Sequence, residues 1–542
     1  MTQLTPAVPA PDPRRWAALA VLCLSLIVVT IDTTILNVAL PTLVDTLHAS
    51  SSALQWIVDG YTVVFAGLLL TAGSLGDRFG RRGALSIGLV IFGVASAASA
   101  LTVNTTQLIG LRALTGVGAA LVFPATLSIL TNLFPDARER QRAIAVWAGT
   151  AGIGIGLGPV AGGLLLRWFY WGSVFWVNLP ICLVALVAGR VLVPTSRDPE
   201  ESRLDGPGAL LSIVGLSALV YAIIEGPSLG WTSRAVVAGL VLAAIALASF
   251  VAVELHSTHP MLDLHLFTNA RFSAASLAVT ALYFCLFGTI FFQTQHLQFV
   301  LGYDPLGAGL RSLPFAVVLL IVANTTPRLV ARIGTRAVIT TGLLIVAASM
   351  AGRVGFTTHT TYTGVLITQC LFALGMGLTI APATASIMGA VSSARAGVGS
   401  AINDTTRQVG GALGVAVMGS IGASLYRHSI NGSAAAAHLP RTALDSVGST
   451  LTAAAQLPAG TRASTVEAAR HAFIHGLDIS SLVGVFVALI GAAIALRFLP
   501  AAMKVGAPAP TPLHISVHPE SPERDTTGDF VVALSINTEV DL

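Results

Sequence analysis

The chain has 542 residues, of which 54% are hydrophobic and only 10% are charged, and its mean hydropathy is +0.80. Soluble globular proteins carry about 25% charged residues, so this composition excludes a soluble enzyme and predicts a chain that lies in a lipid bilayer. The net charge of +4 is too small to indicate a nucleic-acid partner. The four cysteines stand singly in apolar runs and predict neither a disulfide framework nor a metal site.

Fourteen apolar runs are long enough to be membrane-spanning helices, each of which needs about 20 apolar residues. The first run contains Asp32 and is too long for a signal peptide, so we expect it to be retained. The predicted fold is therefore all-α and integral to the membrane. The runs begin near Trp16, Gln55, Ala84, Gln107, Arg142, Gly172, Gly206, Arg234, Arg271, Ala308, Arg336, Thr361, Gly399 and Asp478.

Arginines are concentrated in alternate connections between these runs, which predicts that those connections are cytoplasmic. An even number of spans then places both termini in the cytoplasm. The connection of about 426–477 would lie outside the cell. The last part of the chain, after Lys504, is rich in Pro, Ser, Glu and Asp and is expected to be disordered.

Two short segments of the first half recur in the second half. Pro124–Ile129 recurs as Pro382–Ile387, 258 residues later, and Arg78–Arg82 is similar to Arg332–Arg336, 254 residues later. Both copies keep their side of the membrane, so the repeat is parallel. Parallel repeats are a transporter architecture in which the substrate site lies between the halves, near the middle of the bilayer.

The predicted organisation is two six-helix halves with two inserted helices between them. Its parts are a cytoplasmic N-terminus at 1–15, a first half at 16–192, an inserted helix pair at 193–270, a second half at 271–498 that includes the long 426–477 loop, and a disordered cytoplasmic tail at 499–542.

Four sequence motifs lie in the first half, in residues 31–41, 73–82, 111–118 and 154–163. The stretch 73–82 resembles the signature loop of the major facilitator superfamily, and 111–118 resembles its fourth-span motif. The runs 154–163 and 31–41 resemble the antiporter motif and the first span of the fourteen-spanner drug:proton antiporters. The resemblance covers about residues 14–500. It implies a plasma-membrane exporter that exchanges protons for amphipathic drugs, dyes, antiseptics or antibiotics. The arginine- and alanine-rich composition separately suggests a bacterial source.

Four charged residues are the candidates for proton coupling. A charge in the middle of a bilayer costs about 2.5–3.5 kcal/mol or more, so Asp32 is expected to be functional, although hydrogen bonds to Thr33 or Asn37 would give it a structural role. Arg112 would either partner a carboxyl or extend to the membrane interface. Asp59 and Glu225 are predicted near the outer ends of their spans, as second proton sites, as groups that attract cations at the mouth, or as interfacial residues in water.

The motifs add candidates for gating and packing. The signature loop would hold one state of the gate through Gly73, Asp77, Arg78, Gly80, Arg81 and Arg82. The antiporter motif would bend and pack the fifth span through Gly154, Gly158, Pro159, Gly162 and Gly163. A cavity for cationic aromatic compounds would be lined by Tyr61, Phe123, Trp147, Tyr283, Phe287 and Asn324.

No cofactor is expected, because the single lysine, Lys504, does not belong to an ATP-binding phosphate loop and a proton gradient would supply the energy. The expected partners are protons, a small amphipathic substrate and the lipid bilayer, with the protein as a monomer. The first alternative is a dedicated exporter of a metabolite made by the cell. Nutrient symport is disfavoured by the antiporter motif, and a membrane sensor or enzyme by the lack of a catalytic constellation in the sequence.

Overall fold

A computed structural model describes residues 13–134, 136–195, 205–257, 262–391, 396–437 and 439–500, and these residues form helices and no strand. In this part of the chain, thirteen helices have the length and composition to cross a membrane. Another apolar helix, Thr335–Ala351, is shorter. The protein is thus the predicted all-α, multi-pass membrane protein. The predicted tail at 499–542 lies almost wholly outside the described residues.

The helices follow one another through two halves and an inserted pair. The first half contains α1 (Arg15–Leu47), α2 (Ser51–Phe79), α3 (Arg81–Ser99), α4 (Thr105–Leu133), α5 (Ala137–Trp168), α6 (Ser173–Trp176) and α7 (Asn178–Leu192). The inserted pair is α8 (Gly206–Leu229) and α9 (Arg234–His256). The second half contains α10 (Ala270–Gln295), α11 (Pro305–Ile333), α12 (Thr335–Ala351), α13 (Tyr362–Met388), α14 (Ala396–Asn431), α15 (Val447–Ala454) and α16 (Ala459–Phe498).

The two halves repeat the same packing. Helix α1 packs on α5 as α10 packs on α14, and α3 packs on α4 as α12 packs on α13. The chain turns from α2 into α3 at Gly80, with φ of 108°, and from α11 into α12 at Gly334, with φ of 83°. Both angles lie in the region that favours glycine, which explains why this residue recurs in the repeated segment. The repeat predicted from sequence is therefore seen in the packing.

Local sequence signals fix where several helices begin. The Asn104 side chain accepts a hydrogen bond from Gln107 N at 2.9 Å and caps α4. Asp205 and Asp304 cap α8 and α11 in the same way, each just before a glycine or proline that opens the helix. Such caps satisfy backbone donors that have no partner within the helix.

The last two long helices extend well into the loop predicted at 426–477. Helix α14 continues to Asn431 and α16 begins at Ala459, so the connection between them is 432–458 and itself contains α15. The last span thus begins 19 residues before the predicted start near Asp478. Arg462, Glu467 and Arg470 made the start of α16 too polar to be recognised as part of a span, but its many alanines favour a helix.

The halves are joined on the side of the bundle that holds the connection between α1 and α2, here called the α1–α2 side. Gln55 on α2 accepts a hydrogen bond from Ser420 on α14 at 3.1 Å. Gln298, just after α10, donates to Val38 O on α1 at 3.0 Å. Further hydrogen bonds between the halves run from Ser51 Oγ to Asp445 O, 2.7 Å, and from Thr452 Oγ1 to Asp45 Oδ1, 2.6 Å.

Candidate functional site

Asp32 and Arg112 form an ion pair inside the first half. Arg112 Nη1 on α4 lies 2.6 Å from Asp32 Oδ2 on α1, and the two residues are 1% and 0% exposed. Arg112 Nε also donates to Ile57 O on α2 at 3.1 Å. The arginine therefore neither extends to the membrane interface nor stands alone. The sequence singled out both residues, and the structure brings them together across 80 positions of the chain.

A buried amide holds the other carboxylate oxygen. Asn178 Nδ2 on α7 donates to Asp32 Oδ1 and to Ser96 Oγ on α3, both at 2.9 Å. The Arg112 guanidinium lies 4.5 Å from the centre of the Tyr61 ring. Sequence reasoning missed Asn178, although a lone asparagine in the apolar sixth span was a usable signal.

Thr33 and Asn37, the partners expected if Asp32 were a structural carboxyl, form their hydrogen bonds with other groups. Thr33 Oγ1 donates to Val29 O at 2.8 Å, and Asn37 Nδ2 donates to Thr33 O at 3.1 Å. Asp32 thus has one cationic and one neutral donor, both from other helices. An arrangement in which a buried carboxylate is neutralised by one arginine changes its net charge when a proton binds, so it is suited to couple protonation to a conformational change.

Asp59 is separated from that pair. It is 0% exposed, and neither of its carboxyl oxygens has a hydrogen-bond partner among the described residues. It lies one helical turn from Gln55, which bonds to α14, and one turn from Val63, which packs with residues of α8 and α14. Asp59 therefore faces the junction of the two halves and is not an interfacial residue in water.

Glu225 lies where α8 packs against α2. Its Oε1 accepts from Trp56 Nε1 at 3.1 Å, and its Oε2 accepts from Ser228 Oγ at 2.8 Å. Asp59 on α2 and Glu225 on α8 thus both lie where α2 packs against neighbouring helices. Neither residue contacts the Asp32–Arg112 pair through a hydrogen bond or ion pair among the described residues.

The glycines of the antiporter motif face two different helices. Gly154, Gly158 and Gly162 point towards α1: a Cβ at Gly158 would lie 3.1 Å from both Ile31 O and Ile35 N, and closer still to Thr34 Oγ1. On another face of α5, a Cβ at Gly163 would lie 2.6 Å from Leu306 Cα at the start of α11. The motif therefore allows α5 to pack closely against both its own half and the opposite half.

We expect Gly158→Val to destabilise the protein by about 1–3 kcal/mol, because overpacking forces α1 and α5 apart. Gly152→Val is the matched control on the same helix, since a Cβ there would have nothing within 4 Å. Thermal unfolding in detergent should give a lower Tm for the Gly158 variant alone. Equal Tm values for the two variants would show that the close contact does not matter for stability.

The structure describes some, but not all, of the side chains in the signature loop, residues 73–82. Arg82 Nη1 donates to Val193 O, just after α7, at 3.3 Å, which ties the start of α3 to the end of the first half. Gly73 and Gly80 lie in and just after α2, and Arg78 and Arg81 flank the turn. The side chain of Asp77 lies outside the described part of the structure, so its role as a gate stays a prediction.

A cavity lies between the halves at the level of Thr34. Helices α1 and α5 of the first half contribute Thr34, Asn37, Ile155, Gly156 and Pro159. The second half contributes Leu286, Thr289, Ile290, Gln293, Thr294, Ser312, Phe315, Arg353 and Phe372. A cavity between repeats is where the sequence analysis placed the substrate.

The residues predicted to line a cavity lie elsewhere. Tyr61, Phe123 and Trp147 belong to a row of packed rings that also contains Phe65, with centroids 5.6–5.9 Å apart. Tyr283 stacks with Phe287, 6.2 Å away, and lies under the Arg407 guanidinium. Asn324 is exposed and donates to Leu320 O. None of the six is among the residues that line the cavity between the halves.

A family model described as Major Facilitator Superfamily matches residues 22–415 of the chain. The chain belongs to this superfamily. The chain is 37% identical to the multidrug efflux pump LfrA of Mycolicibacterium smegmatis over 491 residues, which cover 90% of the chain and 97% of LfrA. It is 34% identical to the tetracenomycin C resistance and export protein of Streptomyces glaucescens, with 89% of the chain and 91% of the relative covered. The methyl viologen resistance protein SmvA of Salmonella typhimurium is also 34% identical, with coverages of 86% and 95%.

Solved structures share the fold. A bacterial homologue of the human lysosomal transporter Spinster, in an inward-facing and unoccupied conformation, aligns with a TM-score of 0.62 and 17% identity, covering 91% of the chain and 99% of the other. A D-xylose–proton symporter aligns with a TM-score of 0.58 and 14% identity, with coverages of 90% and 98%. The family and the fold point to transport and not to catalysis.

Proposed function

We propose that this chain is a proton-coupled antiporter that exports amphipathic drugs or toxic compounds, such as lipophilic cations, dyes and antibiotics, by alternating access. It is then a transporter without catalytic chemistry. The observation that carries the proposal is the Asp32–Arg112 ion pair, which lies between α1 and α4 and is shielded from solvent. Names of the similar proteins, multidrug efflux pump and resistance protein, support the direction of transport.

In the proposed cycle, proton uptake by Asp32 breaks its ion pair with Arg112. The neutral carboxyl keeps the amide of Asn178, and Arg112 keeps Ile57 O as an acceptor. The pair then has a net positive charge in an apolar setting, and this state is costly unless the surroundings rearrange. Such a cost lets proton binding favour one facing state over the other.

Helix α1 connects the proton site to the substrate cavity. Asp32 belongs to the buried pair, whereas Thr34 and Asn37, on the same helix, line the cavity. Thr34 also packs against Gly158 of the antiporter motif, on a helix that reaches α11 of the second half. A small shift of α1 is therefore passed both to the cavity and to the junction of the halves.

Asp59 is the proposed second proton site. In the present arrangement it is buried at the α2–α14 junction without a hydrogen-bond partner among the described residues, a setting that strongly disfavours a carboxylate. Loss of a proton there would require water to enter the junction and would weaken its closure. Glu225, already bonded to Trp56 and Ser228, is a weaker candidate for that role.

The proposed location is the plasma membrane of a bacterium, with the α1–α2 side outside and both termini in the cytoplasm. The hydrogen bonds across the α1–α2 side then close the cavity towards the exterior. We propose that the protein acts as a monomer and needs no cofactor. The alternative is export of one metabolite made by the cell. The tetracenomycin C resistance and export protein, a relative named for one exported compound, supports a dedicated exporter.

Dye uptake into everted membrane vesicles tests the proposed function. Respiration acidifies the lumen of such vesicles, so an exporter should pump ethidium inwards in exchange for protons. We expect accumulation that depends on the chain and stops when nigericin collapses the pH gradient. Vesicles without the protein are the control. Accumulation that persists after nigericin and valinomycin together collapse the pH gradient and the membrane potential would contradict proton coupling. Transport of no dye by a folded protein would favour the dedicated exporter.

A further inference from the structure

The cavity between the halves has an unusual charge for an exporter of cations. Among the described residues that line it, the one charged side chain is Arg353, which is 3% exposed and lies just after α12. No aspartate or glutamate is found among these described lining residues. A bound cation would thus meet an arginine and no carboxylate.

Arg353 is only partly satisfied by the protein. Its Nη2 donates to Gln293 Oε1 at 3.1 Å, and its Nε has no hydrogen-bond partner among the described residues. No ion pair of Arg353 is found in the described part of the chain. Asp478 approaches the same turn, but its Oδ1 accepts from Gly355 N at 3.3 Å. Burying a cation without a counter-charge is unfavourable, so a ligand group that supplied the counter-charge would be bound strongly.

Other hydrogen bonds hold Gln293 in place. Gln293 Nε2 donates to Gln369 Oε1 at 2.9 Å, and Gln369 Nε2 donates to Arg311 O at 2.8 Å. The acceptor of Gln293 is thereby directed towards Arg353. The guanidinium is positioned by this chain of amides, which leaves donors for a ligand.

We propose that the cavity binds the acidic oxygens of its substrate, a carboxylate or a phenolate, at Arg353. This inference rests on the proposed function and adds amphiphiles with an acidic group, including zwitterions, to its substrate class, as ligands that bind more tightly than cations without such a group. The planar guanidinium matches the two oxygens of a carboxylate. The apolar body of the substrate would lie against Phe315 and Phe372, and Thr34 and Asn37 would face it from the first half.

A matched pair of dyes tests the inference. Rhodamine 110 has a free carboxyl group, and rhodamine 123 is its methyl ester, so the two differ only at the acidic oxygens. Binding of each to the purified full-length protein in detergent is measured by equilibrium dialysis at pH 7.4. We expect the free acid to bind about tenfold more tightly than the ester, which is a typical gain for one charge-assisted hydrogen bond.

Variants at Arg353 separate ligand binding from a structural role. Arg353→Gln should weaken binding of the free acid about tenfold and change binding of the ester by no more than about twofold. Arg353→Lys should keep part of the preference, because the cation remains. Arg462→Gln is the control: Arg462 lies on α16 of the same half, donates to Leu457 O and does not line the cavity. This control variant should bind both dyes as tightly as the wild type does.

The possible results distinguish this inference from the proposed function. Equal binding of both dyes by the wild type, or equal weakening of both by Arg353→Gln, would overturn the acidic-group site. If everted vesicles nevertheless accumulated the ester, the proposed exporter function would be supported and only the acidic-group site would be rejected. Failure to bind or transport either dye would count against both proposals.

Discussion

Asp32→Asn is expected to reduce proton-driven dye accumulation in everted vesicles to below about one tenth of the wild-type level. Asparagine is nearly the same size as aspartate, and its one carbonyl oxygen can still accept a hydrogen bond from Arg112 or from Asn178, but it takes up no proton in the transport range. Substrate exchange across proteoliposomes without a gradient needs no net proton transfer. It should therefore continue in the variant. This combination separates lost coupling from lost folding.

Asp45→Asn is the matched control for that experiment. Asp45 lies near the end of the same helix, α1, and is exposed. Its Oδ1 accepts from Thr452 Oγ1, and the carbonyl oxygen of an asparagine can accept the same hydrogen bond, so the closure between the halves is kept. The same chemical change at this position should leave gradient-driven accumulation near the wild-type level. If Asp32→Asn also retained gradient-driven accumulation, the coupling role of Asp32 would be refuted.

Arg112→Gln is expected to destabilise the protein by about 3–5 kcal/mol, because it leaves the Asp32 carboxylate buried without its cation. Removing both charges should be far milder than removing one, since a buried ion pair is often replaceable by neutral groups. The double variant Asp32→Asn/Arg112→Gln should therefore recover most of the lost stability. Thermal unfolding in detergent, read as Tm for the two single variants and the double, measures this coupling.

The cycle of variants has clear alternatives. If the Tm losses of the two single variants simply add in the double, the two side chains do not interact in the folded protein. If Arg112→Gln has the wild-type Tm, the guanidinium does not compensate a buried charge. Arg311→Gln provides a control for the loss of an arginine, because the Arg311 guanidinium stacks on Tyr303 and has no carboxylate partner among the described residues.

Much of the fold could be predicted because membrane spans are encoded locally. An apolar run of about 20 residues is sufficient to indicate a span, whatever its neighbours are. The same rule failed at α16, where Arg462, Glu467 and Arg470 interrupt hydrophobicity but not helix formation. A hydropathy pattern detects the part of a helix that lies in lipid and misses the turns that extend beyond it.

The site was predictable residue by residue but not as an arrangement. Asp32 and Arg112 stood out because charges are rare in apolar runs, yet their pairing depends on how α1 packs against α4. The aromatic residues show the opposite case: Tyr61 and Trp147 are apolar enough for a cavity wall, but packing places them in a row of rings. Arg353 was not considered, because it lies at the end of a span, where arginines are common.

Proton movement driven by a substrate gradient tests the central claim most directly. Proteoliposomes that contain the purified protein and a trapped pH-sensitive dye are loaded with ethidium and diluted into medium without it, at equal pH and with the membrane potential clamped. The proposed antiport predicts that outward flow of the substrate brings protons in and acidifies the lumen. Asp32→Asn should show no such change. Ethidium efflux by the wild type without any acidification would contradict proton-coupled antiport.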